Sequence, residues 1–145
     1  MRDGLPFDVL LDMAERERDA CARVASDMDV GLRRAQDRMR LLESHFAACS
    51  SARPKDAAAH DGAKIRNDRA FLARLEMALR RQADDVRGSQ ARLDQARDAM
   101  REAEKRLRAF GQLKTRALRA AAAVEAKRDQ QMNDEFAARR VRAAL

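Results

Sequence analysis

Two arrangements in the sequence carry residue types that do chemistry. His45 and Cys49 stand four residues apart, so on a helix an imidazole and a thiol would share one face and offer two metal ligands. Asp84 and Asp85 are paired carboxylates of the kind used in acid and base catalysis. Neither goes far. A closed zinc site takes four ligands, and no second pair stands at a matching spacing. The two aspartates fall on a polar face with no pocket to raise a carboxyl pKa. A G-x-S-x-G elbow, a phosphate-cradling glycine loop and a Cys oriented by a His are all missing from the sequence. The expectation is a protein that is not an enzyme and holds neither cofactor nor metal, with His45 a solvated or flanking side chain.

The elements that would position such residues follow from composition. Of 145 residues, 38% are charged and 3% aromatic, with no Trp or Tyr. Such a chain cannot fill a thick interior, but it can lace a narrow seam between long helices. Helix 1 is expected over about residues 6–49, with Pro6 suited to a first turn because its missing N–H costs nothing there. Its apolar ladder takes Phe7, Leu10, Ala14, Glu17, Cys21, Val24, Met28, Leu32, Ala35, Met39, Leu42, Phe46 and Cys49. The steps alternate three and four, apart from a double step of four at Met28 and Leu32 that reads as a stutter. Ser50, Pro54, Asp61 and Gly62 mark a reversal over about residues 50–61, with Asp61 or Asn67 as a cap.

Helix 2, about 62–140, carries a heptad ladder: Ile65, Asp68, Leu72, Leu75, Leu79, Gln82, Val86, Ser89, Leu93, Ala96, Met100, Ala103, Leu107, Phe110, Lys114, Ala117, Ala121 and Val124. Gly88 and Gly111 lie inside it as candidate bend points. The expected fold is all-α, an elongated antiparallel two-helix coiled coil with a long C-terminal helix, forming one domain over 1–145. Cys21 and Cys49 would lie roughly 40 Å apart along helix 1, which excludes a disulfide within it.

The lengths differ. At 1.5 Å per residue helix 1 is roughly 66 Å long and helix 2 roughly 118 Å. Folded back, helix 1 would cover the first part of helix 2 and leave the rest, from near Arg106 onward, without a partner in the chain. Leu107, Phe110, Leu113, Ala117, Ala121 and Val124 would then form a bare stripe, and exposed stripes of this kind usually meet another molecule. Beyond it the segment KRDQQMNDEFAARR, residues 127–140, has only Met132 and Phe136 as large apolar side chains. Near the reversal Phe71, Leu75, Ala78 and Gln82 make a second stripe, offset from the seam, which reads either as a widened core face under the loop or, if the loop leaves it bare, as an exposed surface anchored by Phe71.

The net charge of +7 permits attraction to nucleic acid, an anionic membrane or an acidic protein surface and does not choose among them. Its cations are scattered among carboxylates and lack interleaved aromatics, which argues against a nucleic-acid groove. FDVLL after Pro6 contains Asp8 and is followed by a charged run, unlike a secretory signal. No run approaches a membrane span, so a cytoplasmic protein without membrane insertion is expected.

Three stretches, FDVLLDMAERERDACARV (7–24), NDRAFLARLEMAL (67–79) and above all KRDQQMNDEFAARR (127–140), resemble in order and spacing the flagellar export protein family FliJ and its injectisome counterparts of the SctO/YscO type. The resemblance implies an antiparallel coiled coil similar to the shaft of rotary ATPases. It implies insertion into the pore of the hexameric type III export ATPase, promotion of that ring's assembly and activity, and a link to the cytosolic domain of the export gate. Some members also handle export chaperones. By the same resemblance Arg128, Asp129, Gln130, Asp134, Glu135, Phe136 and Arg139 would meet the ATPase, and Phe71, Leu75 and Ala78 the gate. The location implied is peripheral to the inner-membrane export apparatus.

Flagellar members commonly have aromatics where this chain has Ile65 and Asp68, and often His at the position of Gln82. These departures tilt it toward an injectisome or a divergent flagellar member. Two rival readings remain beside the stalk: a homodimeric scaffold joined through the bare stripe, and a basic coiled coil associated with nucleic acid.

Overall fold

The computed structural model describes residues 5–52 and 62–144. They form two helices, α1 over Leu5–Ser51 and α2 over Gly62–Ala143, packed as an antiparallel hairpin. Pro54 and Asp61 lie outside the described residues, so the expected reversal and the Asp61 cap do too. Asn67 is inside α2 and caps nothing. Both interior glycines are passed without a break or a positive φ among the described residues, so neither Gly88 nor Gly111 interrupts α2.

The hairpin divides into two compact units, Asp19–Arg101 and Met1–Arg18 with Glu102–Leu145. In the first, Ala25, Leu32 and Ala35 of α1 and Leu93 and Ala96 of α2 are buried, and the polar Gln82 and Ser89 are buried with them. Gln82 Nε2 donates to the carbonyl of Ala35 across the seam at 2.9 Å. Ser89 Oγ accepts from an Arg92 guanidinium nitrogen at 3.0 Å. In the second unit the buried pair is Ala14 and Ala103. Ion pairs flank it: Glu17 with Arg106 at 2.5 Å and Asp8 with Lys114 at 2.5 Å, residue numbers rising on one helix as they fall on the other.

Among the described residues five of the seven buried apolar ones are alanines, which lets the two backbones approach closely and leaves little core to either side. The α2 ladder is half-buried or buried at every expected position from Leu72 to Lys114. The α1 ladder needs a correction between residues 10 and 25. Leu10 and Val24 are 39% and 47% exposed and Glu17 is exposed, while Leu11, Arg18 and Ala25 take their places. The occupied positions are then Phe7, Leu11, Ala14, Arg18, Cys21, Ala25, Met28, Leu32, Ala35 and Met39, steps of four and three in strict alternation. No stutter remains. Scoring phases by apolarity favours Leu10 and Val24, whereas a close seam selects the small Ala25 and admits the aliphatic stem of Arg18.

The uncovered part of α2 also starts later than expected. Arg106 is engaged by Glu17, and the last half-buried residue is Lys114, held by Asp8. The expectation paired α2 from its first residue. Instead residues 62–71 are exposed apart from Ile65, and continuous seam contact begins at Leu72.

Candidate functional site

Every described residue from Thr115 to Ala144 is exposed, and α2 stays helical through all but the last. At 100° per residue its side chains can be placed around the axis. Arg128, Arg139, Met132, Phe136, Asp129 and Glu135 fall within an arc of roughly 120°, while Gln130 and Asp134 lie on the far side. So five of the seven expected ATPase-contacting residues share a face, and Met132, not among them, sits at its centre. Met132 is 61% and Phe136 65% exposed. Met132 was legible from its spacing, four residues before Phe136.

That face has a history along the helix. Ala103, Leu107, Phe110 and Lys114, which meet α1, project in the same direction to within roughly 40°, and Leu118, Ala121 and Val124 continue it. The side of α2 that forms the seam therefore runs on past the end of its partner.

Charge changes at the same place. From Lys105 to Lys114 each basic side chain has a carboxylate within reach: Lys105 with Glu102 at 2.9 Å, Arg106 with Glu17, Arg108 with Glu104 at 3.9 Å, and Lys114 with Asp8. The Lys105 ammonium donates to Glu102 and, with its charge, holds that carboxyl below the usual glutamate range. Past Lys114 no ion pair forms among the described residues, although Arg116, Arg119, Lys127, Arg128, Arg139, Arg140 and Arg142 alternate with Glu125, Asp129, Asp134 and Glu135. Unpaired charges of both signs around an apolar strip can each engage a partner surface.

The family model for "Flagellar FliJ protein" matches residues 3–145. The chain belongs to the FliJ family. Among curated relatives it is 29% identical over 138 residues to the flagellar FliJ protein of Salmonella typhi, covering 92% of this chain and 91% of that one. Against the flagellar FliJ protein of Escherichia coli K12 it is 28% identical over 131 residues, covering 90% and 89%. Membership in the FliJ family supports a flagellar, export-related protein.

The other expected contacts of this FliJ-family chain lie in the unit Asp19–Arg101. Phe71, Leu75, Ala78 and Gln82 fall within roughly 60° of one another around α2. Phe71 is 52% exposed, Leu75 and Ala78 are half-buried, and Gln82 is buried, so the stripe rises out of the seam toward the start of α2. His45 is exposed and Cys49 half-buried, and among the described residues no three His, Cys, Asp or Glu side chains gather as metal ligands. Asp84 is taken by Arg87. Among the described residues no helix is long and apolar enough to cross a membrane.

Proposed function

We propose that this chain is a stalk of the type III flagellar export machinery, non-catalytic itself, whose bare distal α2 enters the pore of the hexameric export ATPase and promotes its assembly and activity. The observation that carries the proposal is the seam-facing side of α2 continuing, exposed, over residues 115–144 with none of the described residues of α1 upon it. An amphipathic helix left in that state is stabilised when a second surface removes its stripe from water. Arg128, Asp129, Glu135 and Arg139 around Met132 and Phe136 would make many weak contacts with the ring wall, each worth about 1 kcal/mol or less. Contacts of that size exchange readily as ring subunits change state, which suits a shaft better than one deep socket. Gln130 and Asp134, on the far side, would meet the opposite wall of the pore.

At the other end of α2 we assign Phe71, Leu75 and Ala78 to the cytosolic domain of the export gate, with Phe71 as the anchor because it alone of the three is mostly in water. Export chaperones are further partners under this proposal, and the site of action is the cytoplasmic side of the inner membrane.

The test is deletion of residues 127–145. The seam ends at Lys114, so the hairpin survives the deletion, and stimulation of the export ATPase is expected to vanish. Full stimulation by the truncated chain would remove the shaft from consideration. Burial of Leu118, Val124 and Phe136 in a homodimer is the competing use of the same stripe. Light scattering on the isolated protein distinguishes them, since the stalk proposal requires a monomer.

A further inference from the structure

A shallow groove lies on one flank of the seam in the unit Asp19–Arg101. Leu42 of α1 and Met77 and Ala78 of α2 form its floor, Arg74 and Arg81 bracket it, and Gln82 closes one end. Met77 is 53% exposed, so the floor is apolar surface open to water. Arg74 and Arg81 are seven residues apart on α2, which sets their stems roughly 10 Å apart along one side.

Among the described residues four arginines of this unit have carboxylate partners, and of those that have none Arg74 and Arg81 are the two that line the groove. Arg33 pairs with Asp29 at 2.7 Å, Arg40 with Asp37 at 3.4 Å, Arg101 with Asp98 at 2.9 Å, and Arg87 with Asp84. Among the described residues Arg74 and Arg81 have no carboxylate. Arg74 has only Ala70, Phe71, Met77 and Ala78 at helical spacing, and of the two aspartates one turn beyond Arg81, Asp84 is engaged by Arg87 while Asp85 makes no ion pair. Two uncompensated guanidinium groups at the ends of an apolar floor specify a complementary chemistry.

We infer that this groove receives a short protein segment presenting one or two apolar side chains between two carboxylates spaced to meet Arg74 and Arg81. Nucleic acid would satisfy the arginines but leave Leu42 and Met77 wet, and the groove has no aromatic platform for a base. Ala78 also belongs to the Phe71 stripe, so the inference rests on the proposed gate contact. It adds that this contact reaches across the seam onto Leu42 and that the gate segment is acidic.

The experiment is a binding titration of the full-length chain with the gate's cytosolic domain, at low and high salt. The variant Arg74→Glu/Arg81→Glu is expected to bind about tenfold more weakly at low salt, with the difference shrinking as salt screens it. Arg74→Lys/Arg81→Lys should recover most of the affinity, and Met77→Ala should cost roughly threefold at either salt concentration. All these side chains are largely in water, so helicity by circular dichroism should be unchanged. If Phe71→Ala weakens binding while the double Glu variant binds like the parent, the acidic-segment inference is overturned and the gate contact stands. No binding by the parent chain overturns both.

Discussion

Gln82 offers the sharpest check on how the seam is held. It is buried, and its amide reaches the Ala35 carbonyl at 2.9 Å. That carbonyl is in mid-helix and already accepts a bond from its own helix, so removing the amide leaves no orphaned acceptor. Gln82→Ala loses one hydrogen bond, about 1 kcal/mol net, and one buried methylene, about 0.8 kcal/mol, with a small void besides. The expected loss is about 2 kcal/mol. Gln82→Leu also loses the hydrogen bond but fills the space with apolar surface, and should fall within about 0.5 kcal/mol of the parent or above it. Urea unfolding followed at 222 nm, with matching slopes for all three proteins, measures both differences. If the leucine variant falls as far as the alanine variant, the amide bond and not the filled volume holds this position. If neither moves, Gln82 contributes nothing and the seam is held by its apolar residues alone.

Other expectations follow from single features. Nothing lies within 4 Å of where a Cβ would stand on Gly111, so Gly111→Ala should stabilise the helix by about 1 kcal/mol, read as a raised urea midpoint. The Glu102 carboxyl, held down by Lys105, should titrate in carbon-detected NMR below the usual glutamate range and return to it in Lys105→Ala. A lowered folded pKa means that its contribution to stability is present above the unfolded value and is lost as pH falls through the folded one. Met132→Ala/Phe136→Ala should leave the unfolding curve in place, since both side chains are in water, yet reduce ATPase stimulation severalfold. A shift of the curve instead would mean that these residues support the fold. Phe71→Ala is expected to weaken gate binding without loss of helicity, and unchanged affinity would return Phe71 to an ordinary flank of the seam.

The helices were readable because apolar residues at alternating steps of three and four leave little else for a chain so short of aromatics. The α2 ladder from Leu72 to Lys114 could be written down residue by residue. The phase of α1 could not, because Val24 looks better than Ala25 until a second helix is close enough to prefer the smaller side chain. Register was hidden for a related reason. It depends on cross-helix partners such as Asp8 with Lys114 and Glu17 with Arg106, and any of the many exposed carboxylates could have been chosen. Gln82 could be placed in the ladder but its role could not be read, since nothing local indicates that its amide spans the seam to a main-chain oxygen. The distal face was the most legible part of the candidate site, because helical spacing alone gathers Arg128, Met132, Phe136 and Arg139. The groove between Arg74 and Arg81 was not, since it needs Leu42 brought beside Met77 by the fold.

The alanine seam inverts the usual tolerance to substitution. Ala35 and Ala103, each 1% exposed, are the most fully buried of the described seam residues, so a leucine there must prise the helices apart. Large residues such as Leu41 and Val30 stand in solvent and can be exchanged at little thermodynamic cost. In this protein the least conspicuous side chains are the ones a designer should leave untouched, and the bulky ones are where variation is cheap.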